Sequence, residues 1–170
     1  MKIRYGTRDD ATILSEMGAR TFYDAFAKDN TPEDIALYLE KSFSPEIQLA
    51  QLSDPGVLFL IVESDDAPLG YAKLNLNRDR NSEKNAKTLE LERIYAERGH
   101  IGTGVGGTLM QACIDEARQR GCDSIWLGVW EKNQRAIEFY RKWGFKEIGK
   151  QIFTLGNDPQ GDFIMELQLA

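Results

Sequence analysis

The 170-residue chain contains one histidine, His100, and two cysteines, Cys113 and Cys122, with no C-x-x-C pair. Zinc sites draw chiefly on those two residue types, so no metal centre is expected. Cys113 falls on the apolar stripe of an expected helix, which favours buried, reduced thiols over a disulfide or a nucleophile. Positive charge is in deficit: 21 Lys and Arg stand against 27 Asp and Glu, a formal net charge of −6. That balance argues against non-specific nucleic-acid binding and is compatible with a cationic small substrate. There is no run of 18 apolar residues, and the opening MKIRYGTRDD has no apolar core of signal-peptide length. Neither a membrane span nor export is therefore indicated, and the cytoplasm is the expected compartment. Repeats, low-complexity tracts and Pro/Gly linkers are also missing, so residues 1–170 are expected to form one domain.

What is present alternates between strand and helix signals. Met1 to Tyr5 reads as a strand, and Asp9 or Asp10 can cap a helix to about Ala27 with Leu14, Met17, Phe22 and Phe26 on one face. Thr31-Pro32-Glu33-Asp34 opens a second helix to Phe43, and Pro45 to Leu52 suits a third. Val57 to Glu63 and Leu69 to Leu76 read as a hairpin turning at Asp65 to Pro68, and Asn77 to Lys87 as a polar, exposed loop. In Thr88 to Tyr95 the apolar alternation slips by one at Arg93-Ile94, as a β-bulge would make it do. A helix from Thr103 to Arg120 stopped by Gly121, a strand from Asp123 to Trp130, a helix capped by Asn133 and ended by Gly144, and strands at Phe145 to Phe153 and Asp162 to Gln168 complete the order. Strands in runs with helices singly inserted imply an α+β fold with a mixed sheet, parallel where the Thr103 helix crosses over.

The segment ERGHIGTGVGGTLM packs glycines between a strand and a helix. Gly102, Thr103, Gly104, Val105, Gly106 and Gly107 satisfy the dinucleotide fingerprint G-x-G-x-x-G literally, but polar or small residues separate the strand from the glycines. The P-loop template fails because Thr108 occupies the lysine position. A phosphate cradle built from backbone N–H groups at a helix start needs glycines and no lysine. A plain tight turn remains the competing explanation.

LERIYAERGHIGTGVGGTLM followed by WLGVWEKNQRAIEFYRKWGF resembles the two core motifs of the GNAT superfamily of acyl-CoA-dependent N-acetyltransferases. The first is similar to the family's [Q/R]-x-x-G-x-[G/A] pattern at Ile101 to Gly106, with Ile101 replacing the usual Gln or Arg. The second matches N-x-x-A-x-x-F/Y-Y-x-x-x-G-F at Asn133, Ala136, Phe139, Tyr140, Gly144 and Phe145. TFYDAFAKDNTPEDIALYLEKSF and FTLGNDPQGDFIMELQL further resemble the PaiA-type spermine/spermidine acetyltransferases. The resemblance implies a mostly antiparallel sheet with a central parallel pair splayed for acetyl-CoA and helices on both faces. Residues 1–53 would be the N-terminal strand and substrate-side helices, and 54–170 the acetyl-CoA-binding core.

Direct transfer of an acetyl group to a primary amine needs a polarised thioester carbonyl, a deprotonated amine, a held coenzyme and a protonated leaving thiolate. A bulge frees a backbone N–H for the first task, and by resemblance that donor is Ile94, with Tyr95 and Ala96 lying along the pantetheine. Glu92 is the candidate base, although Glu90 and Glu92 could equally be the polar face of a strand. Tyr140 is the expected acid toward the thiolate, and Asn133 both a helix cap and a pantetheine contact. Ile101, Gly102, Thr103, Gly104, Val105, Gly106 and Gly107 would cradle the phosphates, with Lys142, Arg98, Lys132 or Arg135 as countercharge and His100 facing solvent. Asp24 or Glu33 could hold the remaining ammonium groups of a polyamine. Acetyl-CoA is the expected cosubstrate, with no metal, and a homodimer is common in relatives. A peptide or protein amine, or a non-catalytic acyl-CoA-binding regulator, stands as the alternative.

Overall fold

The computed structural model describes residues 1–76 and 87–169. Apart from Lys87, the polar loop expected at 77–87 lies outside the described residues. Seven strands, β1 (Lys2–Tyr5), β2 (Val57–Ser64), β3 (Ala67–Asn75), β4 (Thr88–Ala96), β5 (Ser124–Trp130), β6 (Lys146–Leu155) and β7 (Asp158–Gln168), form one sheet in the order β1-β2-β3-β4-β5-β7-β6. Five α-helices accompany them: α1 (Ala11–Phe26), α2 (Pro32–Phe43), α3 (Pro45–Leu52), α4 (Val105–Gln119) and α5 (Gln134–Lys142). Every strand pair is antiparallel except β4–β5, which α4 bridges. The helices divide between the two faces. Leu109, Met110, Cys113 and Ile114 of α4 and Ile137 of α5 bury against Leu60, Leu74, Leu89, Leu91, Ile125 and Leu127. On the other face Leu14 and Met17 meet Phe59, Ile61 and Tyr71, and Phe22, Ile35 and Phe43 close a smaller cluster with Leu155. This is the expected mixed sheet covered on both sides. No helix among the described residues is long and apolar enough to cross a membrane.

Local signals acted mostly where they stand. Thr31 Oγ1 accepts the Asp34 N–H at 3.2 Å, Ser44 Oγ accepts that of Ile47 at 3.2 Å, and prolines occupy both first turns. Asp65 and Asp66 take positive φ (51° and 63°) in the β2–β3 turn, a conformation that aspartate tolerates better than most residues. Asp10 behaves differently. It stands at the start of α1, but its carboxylate accepts the Thr7 N–H at 2.8 Å and pairs with Arg4 rather than capping α1 itself.

Several limits differ from expectation, among them the starts of β3 at Ala67 and of β6 at Lys146. α4 begins at Val105, not Thr103, because Gly102 and Gly104 adopt left-handed φ of 80° and 94°. β7 begins at Asp158, not Asp162, because Gly156 (φ 62°) lets Leu155 pair directly with Asp158. The bulge also moves. Lys73 pairs with Arg93 and Leu74 with Leu91, so the inserted residue is Glu92, one position before the expected slip at Arg93-Ile94. The insertion puts Arg93, against Phe43, on the α1–α3 face, and sends Ile94 and Ala96 to join Leu89 and Leu91 on the α4 face.

Candidate active site

β4 and β5 pair only through Thr88–Ser124, Leu89–Ile125 and Glu90–Trp126. β4 continues to Ala96 alongside β3, where Ala96 pairs with Gly70, and β5 continues to Trp130 alongside β7, where Trp130 pairs with Asp162. The two central strands thus part beyond Glu90, and the backbone edge each turns toward the other is left without a strand partner in the described chain. Such edges seek hydrogen bonds, and an extended ligand carrying amides can supply them. Gly70 permits the close approach at the far end: a Cβ there would lie 2.6 Å from the Tyr95 carbonyl oxygen and 2.8 Å from Val105 Cγ1. The end of β4 and the start of α4 are therefore clamped together.

The chain turns from β4 into α4 through a short 3₁₀ segment at Arg98–His100. Thr103 Oγ1 donates to the His100 carbonyl at 2.6 Å. The first bond of α4 runs from the Thr108 N–H to the Gly104 carbonyl at 3.0 Å, so the N–H groups of Val105, Gly106 and Gly107 precede the helical ladder. Together with the helix dipole they make a helix end of the kind that suits an anion, where β4 leads into α4. Ile101, Gly102, Thr103 and Gly104 are exposed there, while Val105 is buried and anchors the turn; His100 and the cations Arg98, Lys132, Arg135 and Lys142 are likewise exposed side chains. α5 leans on this end: a Cβ at Gly106 would meet Phe139 at 3.3 Å and one at Gly107 would meet Trp143 at 3.7 Å. Asn133 Oδ1 accepts the Ala136 N–H at 3.2 Å, which makes it the cap of α5. Tyr140 packs between Phe139 and Phe145, with ring centroids at 5.6 and 5.8 Å.

On the opposite face, where the strands part, Glu92 Oε2 lies 2.5 Å from Lys73 Nζ and 3.9 Å from Arg93 Nε. Asn75 Nδ2 donates to Glu92 Oε1 at 3.3 Å and to Glu90 Oε1 at 2.7 Å. The register sets Glu90, Trp126 and Glu166 in one row across β4, β5 and β7. Asp162 is buried at the other end of β5. A strand opening, a half-buried carboxylate at a bulge and a helix N-terminus thus follow one another along β4 and the turn after it.

The Acetyltransferase (GNAT) family matches residues 20–145, which include the bulged strand, the glycine turn and α5. The chain belongs to the GNAT acetyltransferase family. Over 170 residues, 100% of this chain and 98% of the relative, the GNAT enzyme is 33% identical to an uncharacterised N-acetyltransferase from the pepI 3′ region of Lactobacillus delbrueckii subsp. lactis. The crystal structure of PaiA N-acetyltransferase from Thermoplasma acidophilum, in complex with coenzyme A, matches its fold with a TM-score of 0.80 at 24% identity, covering 99% of each chain. A probable spermine N(1)-acetyltransferase of Bacillus subtilis subsp. natto is 27% identical to it over 87 residues, 51% of this chain and 57% of that one.

Charge states in the GNAT site follow from its geometry. Burial pushes the Glu92 carboxyl upward, but Lys73 and Arg93 outweigh it and leave the group below its ordinary value, hence ionised at neutral pH. Burial raises the Tyr140 hydroxyl well above the usual phenol range, and the nearby Cys113 thiol adds to this. Burial also lifts Asp162 to about 6; Glu131 adds to the rise and a hydrogen bond from Gln151 opposes it. Lys73, Asn75, Arg93 and Asp162 were not singled out from the sequence. Lys73 left one trace, a cation inside the otherwise apolar run LGYAKL, whereas Asp162 left none. Asp24 and Glu33 lie exposed on α1 and α2, and it is the half-buried Asp34 that reaches β7's turn, accepting the Asn157 N–H at 2.9 Å.

Proposed function

We propose that this GNAT enzyme passes an acetyl group directly from acetyl-CoA to a primary amine, with a polyamine such as spermidine or spermine as acceptor. The observation that carries the reading is Glu92, inserted at the bulge where β4 and β5 part and paired with Lys73 at 2.5 Å. The pantetheine arm lies between the parted strands beside Tyr95 and Ala96. The pyrophosphate sits on the turn from Ile101 to Gly107, with Lys142 near it and Asn133 against the arm. Ile94 N–H polarises the thioester carbonyl. An aliphatic ammonium of pKa near about 10 must lose a proton before it attacks, and Glu92 takes it directly or through one water, a step worth roughly 10²- to 10⁴-fold. The nitrogen–carbon bond forms, the carbon–sulfur bond breaks, and Tyr140 returns a proton to the thiolate. From ordinary pKa values that last transfer is uphill by roughly 2 kcal/mol, and burial of Tyr140 makes it steeper. The proton therefore moves as negative charge builds on sulfur within the same apolar surroundings, so that position outweighs acidity.

A cationic acceptor suits the carboxylates of Glu90, Glu166 and Asp162 along one face of β4, β5 and β7, and the spermine acetyltransferase relative points the same way. Thiol release from acetyl-CoA with spermidine, spermine and a lysine peptide, run beside Tyr140→Phe, tests the reading. Release with the polyamines, cut at least tenfold in kcat by the variant, is expected. Release with the lysine peptide alone refutes the polyamine acceptor, and an undiminished Tyr140→Phe refutes the acid.

A further inference from the structure

Lys73 is 4% exposed, and its cross-strand partner is Arg93, so two cations sit side by side beneath α1 and α2. Burying an ammonium is costly unless it is paired, and β3 otherwise buries Leu69, Tyr71, Ala72 and Leu74. An apolar residue would suit the sheet better at this point. The Lys73 ammonium pairs with Glu92, the residue the bulge inserts opposite it, at 2.5 Å. Asn75 donates to the other Glu92 oxygen, so the carboxylate is gripped at both ends from β3.

We propose that Lys73 is a positioning residue for acetyl transfer, its ammonium holding the Glu92 carboxylate ionised and in place at the edge of the cleft. The inference rests on the reading of Glu92 as base. Among the described residues, the ionisable groups around this pair are Tyr71 from β3 and Glu90 and Arg93 from β4; Tyr95 of β4 and Tyr38 of α2 act through Arg93, and Arg20 of α1 is engaged by Glu97. Arg93 is the second cation, but its nearest contact to the carboxylate is 3.9 Å and its guanidinium lies 4.3 Å above the Phe43 ring. It is the weaker support for Glu92. Without Lys73 the burial that opposes ionisation stays while the chief opposing charge is gone.

Carbon-13 NMR of glutamate side-chain carboxyls, with the Glu92 signal assigned by its loss in Glu92→Gln, reads this without any acceptor. In Lys73→Met the Glu92 titration should move up by about 1–3 pH units, the usual effect of an opposite charge at this range. Lys73→Arg, which keeps a cation, should return it toward the parent value. Lys73→Gln removes the charge but keeps a donor and serves if the methionine variant does not fold. In the rate arm the ratio of variant to parent kcat/KM for spermidine cancels the ionisation of the amine. That ratio should fall about tenfold per pH unit below the raised pKa. A Glu92 signal that titrates at the parent pH in folded Lys73→Met overturns the inference. A shifted signal with a flat rate ratio, or Glu92→Gln with the parent rate, instead overturns the base role of Glu92.

Discussion

Gly104 offers the sharpest test of the phosphate cradle. It holds φ at 94°, and the nearest atom to a Cβ there would be Met1 Cε at 3.7 Å, an ordinary contact, so the cost of Gly104→Ala is in the backbone. A left-handed alanine costs about 1–2 kcal/mol. For a domain of this length roughly 2–4 °C of Tm goes with each kcal/mol, so a fall of about 2–8 °C is expected. An exposed loop can relieve the strain by rotating its peptides, and doing so turns the N–H groups ahead of α4 away from the phosphates. Hydrogen bonds to charged groups are worth about 1.5–3 kcal/mol each, so losing one should weaken acetyl-CoA binding about 10- to 100-fold. Gly121→Ala, just past the opposite end of α4, is the internal control. Gly121 holds φ at 72°, and a Cβ there meets nothing within 4 Å. Alanine there should carry a similar backbone cost of about 1–2 kcal/mol and leave the Kd alone. Calorimetric titration with coenzyme A, beside thermal melts, separates the two variants. An unchanged Kd in Gly104→Ala, or the same weakening in both, would refute the assignment of the cradle to these backbone donors.

Asp162→Asn should raise Tm at pH 7.5 and leave it unchanged at pH 4. The folded pKa of about 6 exceeds that of an unfolded aspartate, so the carboxyl favours the native state when protonated, and that contribution is lost as pH rises through 6. If the ionised form also receives an ammonium of the acceptor, the parent KM for spermidine should climb as pH falls below about 6, and a flat KM there would exclude that contact. Asn133→Ala should cost about 1 kcal/mol through the lost cap of α5, whereas Asn133→Ser keeps a capping oxygen and the parent Tm. Weaker acetyl-CoA binding in the serine variant would mark a direct contact of the Asn133 amide, and a parent Kd would confine it to capping.

Much of this enzyme was legible in its sequence because the signals act within a few residues. Period-two and period-3.6 patterns, the caps at Thr31 and Asn133, and the stops at Gly121 and Gly144, with φ of 72° and 97°, give the elements and nearly all their limits. The two motifs also placed the glycine turn and α5 in the family to which the chain belongs. Tertiary structure decided what depends on pairing between distant strands. The slip in TLELERIY announced a bulge, but only the register against β3 shows that Glu92 is the inserted residue, because either neighbour breaks the alternation equally. Lys73 and Asp162 show nothing in sequence of what they meet, since an ionisable side chain takes its charge state from burial and from partners that other strands bring. The parting of β4 and β5 is likewise absent from either strand alone: each keeps its outer neighbour to the end, and the opening exists only between them.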